Sequence, residues 1–370
     1  MRIRRQIHPG YSLCSVDYES GELVTNGENL LRIVGWSKLA DALNAGVKVH
    51  NALAASVLGI SYEEFNKRLE AKDKLCKNMR QAAKPPNFGY PGRMGAARLV
   101  LQYRKDQTDT PCPGGPADLG GGVRGYKGIR FCILMDGATS CGDVKVNEWK
   151  GRPLPPVCRR CIECAERLKS YWIRQWPEHV EYFKFVERIE NGENGGVVVQ
   201  HVSNRERGGA TGNAIANGYF QALLADLAKA AFCRVAYECF VKTRVRTEVE
   251  GAKVSAYEGG ESPLYGCRPI VFQHDEIISE LIRSIEHDAA WRVSEIMVEE
   301  MNRYCPRMIR AARAVPAISL RWYKGMEEVK DERGRLSPWE PAHTKKCKAC
   351  GADVLRTCIG GVTHPERAAA

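Results

Sequence analysis

Apolar positions alternate with small or polar ones through residues 11–18 (YSLCSVDY), and the run ends on an acid. A period of two predicts a β-strand that delivers Asp17 to a sheet edge. The period then changes. Leu30, Leu31, Val34, Leu39 and Leu43 recur at three- and four-residue spacing across 28–45, and the run from Ala52 to Leu58 does the same, so helix is expected there. Ser61 followed by Glu64 has the form of a capping box that opens a further helix through Leu75. A mostly helical subdomain therefore follows the first strand.

Residues 103–130 break this pattern. The stretch TDTPCPGGPADLGGGVRGYKG is dense in glycine and proline and predicts a long mobile loop. Helical spacing returns over 165–190, and GNAIANGYFQALLADLAKAAFCRVAYECF (212–240), with few charges, predicts one long buried helix. In RPIVFQHDEIISEL (268–281) two short apolar runs flank a polar centre, which predicts a β-hairpin whose turn carries His274, Asp275 and Glu276. A further amphipathic helix is expected over 287–304. The chain beyond about residue 330 is polar, and no internal repeat is present.

Composition narrows the class. With 370 residues the chain is long enough for two domains, and 44% hydrophobic against 27% charged residues is the balance of a globular protein. Lys and Arg (55) exceed Asp and Glu (44), a formal charge of +11 that suits a surface lying against a polyanion, nucleic acid first. Charge alone leaves a generally basic surface equally open. The first residues lack the apolar run of a signal peptide and no stretch has the length of a membrane span, so a cytoplasmic protein with no membrane partner is expected. The 15 cysteines, several in Cys-x-x-Cys pairs, point to zinc or free thiols ahead of disulfides.

Phosphoryl transfer to a 3′-hydroxyl uses two divalent cations, and carboxylates from two strands can hold both. Asp17 and Asp275 are the pair that such a sheet would bring together, although each alone reads as a solvated turn residue. In RQAAKPPNFGYPG (80–92), Arg80 and Lys84 share a helix face with Phe88 one turn further on. Two cations and an aromatic ring suit a nucleoside triphosphate. An isolated R-x-x-x-K is otherwise a solvated basic face.

The order of these pieces carries more than any one of them. S-V-D-Y-E-S-G-E-L (15–23), R-x-x-x-K-x-x-N-F-G (80–89) and Q-H-D-E (273–276) resemble, in that order, the three polymerase motifs of the family A DNA polymerases, the group of bacterial DNA polymerase I and many phage replicases. V-x-H (48–50) and A-N-G-Y-F-Q-A-L-L-A-D (216–226) resemble two further segments of that family, so the resemblance spans residues 2 to about 330. It implies an α+β fold with an antiparallel palm sheet (1–35 and 201–330), helical fingers (36–200) and a separate tail (331–370). It implies template-directed DNA synthesis, with primer-template DNA and deoxynucleoside triphosphates as partners and a role in phage replication. Asp17, Asp275 and the carbonyl of Tyr18 would hold two Mg2+ ions, with Glu276 close by. Arg80, Lys84 and His50 would grip the triphosphate, Lys84 also protonating the pyrophosphate, while Phe88 packs on the sugar. Glu22 would crowd the 2′ position. Asn217 and Gln221 would lie near the minor groove and His274 near the primer end, with a purely structural role for the two amides left open.

The chain departs from the family in three places. Ser20-Gly21 replace the usual Gln-Ile, Pro85-Pro86 fall where a fingers helix should continue and predict a kink or early break, and Tyr90-Pro91-Gly92 follow the phage pattern. A thumb and a proofreading exonuclease are expected to be missing ahead of Asp17, so weak synthesis and an upstream partner polypeptide are expected. Residues 104–163 read as an insertion in which Cys132, Cys141, Cys158 and Cys161, or Cys164 in place of one, have the spacing of a structural zinc site. Cys347, Cys350, Cys358 and His364 form a second, less regular group. Unligated thiols remain the alternative for both. Two other functions stay open: a non-catalytic nucleic-acid-binding protein, and a single-subunit RNA polymerase or reverse transcriptase, which Glu22 and the N-F-G after Lys84 disfavour.

Overall fold

The computed structural model describes residues 10–105, 124–125, 129–130, 144–149, 152–241, 261–320 and 325–339. The predicted cysteine ligands Cys132, Cys141, Cys347, Cys350 and Cys358, with His364 and most of the predicted mobile loop, lie outside them. Cys158 is described by its backbone alone.

The chain order is β1 (Tyr11–Tyr18), then seven helices: α1 (Gly21–Ile33), α2 (Lys38–Asn44), α3 (Val49–Leu58), α4 (Tyr62–Glu70), α5 (Lys74–Ala82), α6 (Lys84–Gly89) and α7 (Ala96–Lys105). Two antiparallel pairs follow, β2 (Arg124–Gly125) with β3 (Ile129–Arg130) and β4 (Val144–Trp149) with β5 (Arg152–Cys158), then α8 (Arg159–Gln175) and α9 (Glu178–Glu190). The short pair β6 (Val198–Val199) and β7 (Glu206–Arg207) leads to α10 (Gly212–Phe240), β8 (Arg268–Gln273), β9 (Glu276–Ile282), α11 (Glu286–Tyr304) and β10 (Ala314–Ser319). Mixed helix and antiparallel sheet is the outcome expected of an α+β chain.

The main sheet has the order β10-β1-β9-β8, antiparallel throughout. Asp17 is therefore not at a lateral edge, as the alternating pattern suggests, but near the end of a central strand. The strand is buried on both faces from Ser12 to Val16, which its small residues Ser12, Cys14 and Ser15 permit. On one face α11 closes over it: the Tyr18 hydroxyl donates to the Met297 carbonyl (2.8 Å) and the Ser294 hydroxyl to that of Ala314 (2.6 Å). The strand that pattern reading omits is β10. Pro316 interrupts its sequence signal, yet proline lacks only a donor, and an edge strand can spare one.

The long helix α10 appears over the predicted span and is apolar nearly all round, as a core helix should be. Two of its charged residues, Glu238 and Arg234, are spent on α11: Arg292 reaches Glu238 at 2.6 Å and Arg234 reaches Glu299 and Glu300 at 2.5 and 2.9 Å.

Elsewhere local chemistry cuts the predicted helices into shorter ones. The expected 28–45 run starts earlier, at Gly21, and breaks after Ile33, where Gly35 takes φ 88° and the Ser37 hydroxyl accepts the Ala40 N–H to start α2. Ser61 does cap α4 through the Glu64 N–H, but the Glu64 carboxylate turns to Arg68 (2.6 Å), so only half of the capping box forms. That helix stops at Glu70, and Asp73 caps the next through the N–H groups of Leu75 and Cys76. The expected continuous helix through Leu75 is thus two. Likewise, 165–190 is split by Trp176-Pro177 into α8 and α9. Among the described residues no helix is long and apolar enough to cross a membrane.

His179, at the start of α9, is fully buried between the Asn26 amide (3.0 Å) and the Trp176 carbonyl (3.2 Å). Burial pushes its pKa down to about 3, below the 6.5 of an exposed imidazole. The unfolded chain therefore takes up the proton first, and stability held above pH 6.5 is lost as pH falls toward 3. At pH 5 the loss from this residue is about 2 kcal/mol. Urea midpoints at pH 7 and pH 5 should differ by less in His179→Gln than in the parent.

Candidate active site

The site forms where β1 ends. Register sets Asp17 opposite Glu276, so the two side chains leave the same face of the sheet, about 5 Å apart at Cβ. Asp275 precedes Glu276 in the two-residue turn between β8 and β9, with His274 beside it at φ 58°. A histidine in this left-handed region is strained by the order of 1 kcal/mol, and strain of this kind gathers at functional turns. Glu276 begins β9 instead of sitting in the turn, and the Ser15 hydroxyl donates to its carboxylate.

Burial, then the charges of Asp275 and Glu276, push the Asp17 pKa up to about 7. Asp275 is also raised, first by burial, and Glu22, in the first turn of α1, is raised by burial and by Asp275. Asp275 and Glu276 act on Asp17, and Asp275 on Glu22, as like charges at close range, and the neighbouring His274 offsets this only in part for Asp275 and Glu22. A hard cation suits that donor set. Among the described residues no three His, Cys, Asp or Glu side chains form a ready-made metal cage. Two carboxylates are, however, what magnesium commonly takes from a protein when substrate phosphate and water complete its shell. The Tyr18 side chain is occupied in the core, which leaves only its backbone for such a role.

The basic motif lies on the helices facing this sheet end. The Pro85-Pro86 break occurs as expected: α5 ends at Ala82 and α6 starts at Lys84. Both prolines occupy the first turn of α6, where N–H groups have no helical partner, so the cost of an interior proline is avoided. The break leaves Arg80, Lys84 and Phe88 around one side chain. His50, in the first turn of α3, meets the Phe88 ring edge-on at 5.2 Å. Burial and the charges of Lys84 and Arg80 hold its pKa at about 4.

Asn87 sets the orientation of this histidine. Its side-chain oxygen accepts the Trp172 indole N–H (3.1 Å), so its amide nitrogen donates to His50 Nδ1 (3.1 Å) and leaves the proton on Nε2. The neutral ring is thereby a donor. Asn51 similarly holds Arg80 by Nε (3.1 Å), leaving the other guanidinium nitrogens without a protein partner among the described residues. The Lys84 pKa is lowered by partial burial and then by Arg80.

A cleft of about 570 Å³ lies between α6, α7 and α10, and Lys84, Phe88, Arg98, Asn217, Gln221 and Glu22 line it. Gln221 donates to Glu22 at 3.4 Å, and Asn217 donates to the Asn213 carbonyl (2.8 Å), which makes the latter partly structural. A Cβ on Gly92 would stand 2.1 Å from the Asn217 amide oxygen, so the turn after α6 reaches α10 only because residue 92 has no side chain. Gly92→Ala should lose about 1–3 kcal/mol in urea unfolding, and the added Asn217→Ala should recover most of it. Loss unchanged by the second substitution would place the clash elsewhere.

His50 and Arg80 line a second cavity, Tyr18 lies at the end of β1, and of the predicted nucleotide-site residues Glu22, Lys84 and Phe88 line this cleft. Tyr90 does not: it is buried, its hydroxyl donating to the Ala165 carbonyl (2.7 Å). Cys161 and Cys164 are buried in the first turns of α8. Sequence reading omitted Asn87, Gly92 and Arg98, together with Lys48, Arg310 and Arg313, which line a second cavity with Arg80 and His50. Asn87 was in the motif, but its bond to His50 joins residues on separate helices.

No family model and no curated protein matches the chain. Among solved structures it is similar to the POL domain of Pol1 from M. smegmatis in complex with DNA primer-template and dNTP, with a TM-score of 0.48 and 14% sequence identity over 85% of this chain and 41% of that one. The chain spans less than half the length of that relative. A likeness of this degree decides nothing about chemistry, which rests on the residues of the cleft.

Proposed function

We propose that the chain is a family A DNA polymerase module that adds deoxynucleotides to a primer 3′ end under direction of a DNA template. One observation carries the reading: the carboxylates of Asp17, Asp275 and Glu276 gather at one sheet end, Asp275 acts on Glu22, and Glu22 lines a cleft with Lys84 and Phe88, beside which His50 meets the charges of Lys84 and Arg80. Carboxylates to hold cations and cations to hold phosphates are the two halves that phosphoryl transfer needs.

Magnesium, held by Asp17, Asp275 and the Tyr18 carbonyl, would lower the pKa of the primer hydroxyl and neutralise the triphosphate. The protein's own groups do the rest. Arg80 and the Nε2–H of His50 bind phosphate oxygens, and Phe88 packs on the sugar. The primer hydroxyl gives up its proton to solvent, and its oxygen forms a bond to the α-phosphorus as the bond from that atom to the bridging oxygen breaks. The electron pair leaves on pyrophosphate, which takes a proton from Lys84. Glu22, held by Gln221, occupies the space a 2′-hydroxyl would need and selects deoxyribose.

A binding remnant is the second reading, since no ready-made metal cage is present among the described residues. Primer extension with magnesium and four deoxynucleotides separates them. Product that disappears in Asp275→Asn supports the polymerase, whereas tight duplex binding with no extension supports the remnant. Zinc at the cysteine groups and a thumb-bearing partner polypeptide are parts of the same proposal. Metal analysis of the purified protein tests the first, and extension with and without an upstream polypeptide the second.

A further inference from the structure

A third cavity, about 670 Å³, lies at the other end of the main sheet from Asp17 and Asp275. From Glu276, beside those carboxylates, β9 runs to Ile282, and the cavity opens just beyond, between Ile285, the first turns of α11 and residues 261–265. Glu261, Asp288 and Glu295 line it, against Arg292 and the imidazole of His287. Arg292 is committed to the interior: it is 2% exposed, and Glu238 at 2.6 Å and Glu295 at 3.1 Å hold its guanidinium. In a chain of formal charge +11, this cavity is therefore negative. Asp288 alone has an ordinary explanation, since a carboxylate in the first turn complements the helix dipole, but Glu295 lies beyond that turn.

The arrangement suits an extended cation. Asp288, Trp291 and Glu295, at i, i+3 and i+7, follow one face of α11, so that carboxylate, ring and carboxylate succeed one another over about 10 Å of helix axis. The opposite wall repeats a carboxylate and a ring in Glu261 and the exposed Tyr265. Among the described residues no three acids, histidines or cysteines converge as a metal ion requires. Charges spread along a groove, with ring faces between them, match ammonium groups spread along an aliphatic chain. The fold itself supplies an independent indication. The Lys330 ammonium lies over the Trp291 ring, 5.5 Å from its centre, and the Arg335 guanidinium approaches Asp288 at 3.8 Å. Both belong to the turn 330–336, fixed to α11 by the Leu336 N–H, which donates to His287 Nδ1 (2.9 Å). An alkylammonium on this ring is already part of the structure.

We propose that this cavity binds a linear aliphatic polyamine, with its terminal ammonium groups on Asp288 and Glu295, a further nitrogen toward Glu261, and its methylenes across Trp291 and Tyr265. The site does not depend on the polymerase reading. Its occupant bridges residues 261–265 and α11, the helix that backs β1 through the bond from Tyr18 to the Met297 carbonyl, and so stabilises the palm from behind.

Calorimetric titration of the full chain with spermidine, in EDTA and without nucleic acid, tests the site directly. The expected result is saturable binding at one site that weakens with salt, together with a melting temperature that rises with spermidine concentration. Affinity should fall about tenfold or more in Asp288→Asn/Glu261→Gln, both exposed positions, and severalfold in Trp291→Leu. Lys330→Gln, which removes a competing cation, should bind at least as tightly as the parent, and Asp17→Asn should bind as the parent does. Circular dichroism establishes that the variants are folded. Absence of saturable binding, affinity unchanged in the double variant, affinity lost in Asp17→Asn, or displacement by magnesium at equal charge would each overturn the proposal. Trilysine binding more tightly than spermidine would overturn it too, and would make the cavity a site for a basic peptide.

Discussion

Asp275→Asn and Asp17→Asn are each expected to lower primer extension by at least about a thousandfold while leaving the metal-free protein folded and slightly more stable. The loss of activity follows from removing half of the donor set for the cations, whose contribution to phosphoryl transfer is several kcal/mol, each 1.36 kcal/mol being tenfold in rate. The gain in stability follows from the same geometry. Burial and neighbouring carboxylates raise the Asp17 pKa to about 7, so its folded value lies above its unfolded 3.8. Stability is then complete below pH 3.8 and is lost as pH rises through 7. Asp17 reaches solvent, so screening holds the effect to about 1 kcal/mol. In EDTA the Asn variants should therefore melt above the parent at pH 8 and level with it at pH 4. Inactive variants that melt below the parent at pH 8 would mean that the carboxylates serve the fold.

Lys84→Ala is expected to lower the single-turnover rate by about 10²–10⁴, the range of a positioned proton donor. Lys84→Arg distinguishes charge from proton. A guanidinium retains the phosphate contact but does not release a proton, so nucleotide affinity should persist while the rate stays low. The environment gives a second handle. Partial burial and then the Arg80 charge lower the Lys84 pKa, so protonated lysine is lost at lower pH than usual. Arg80→Gln removes one of these causes. Its alkaline limb of the rate should move to higher pH, even as nucleotide binding weakens. A limb that stays in place would remove Lys84 from the proton-donor role.

The fold was legible where one rule acted alone. Nearly continuous apolar sequence foretold α10, and two apolar runs about a polar centre foretold the β8–β9 hairpin to within a residue or two at each end. It was less legible where rules competed. Pro316 hid β10 because edge position, which excuses a proline, is a property of the whole sheet. Helical spacing across 28–45 and from Ser61 to Leu75 concealed breaks made by Gly35, Lys72 and Asp73, each a single residue of local geometry. The site was readable as three motifs, yet its positioning contacts were not. Trp172 to Asn87 to His50, and Gly92 against Asn217, join residues far apart in sequence, and Arg310 and Arg313 belong to no motif.

The central claim is tested most directly by single-turnover incorporation of one deoxynucleotide opposite each of the four template bases, with magnesium, in the parent and in Asp275→Asn. Incorporation governed by the template base and abolished in the variant is the predicted result. Nucleotide addition that ignores the template, or that survives the loss of Asp275, would contradict it.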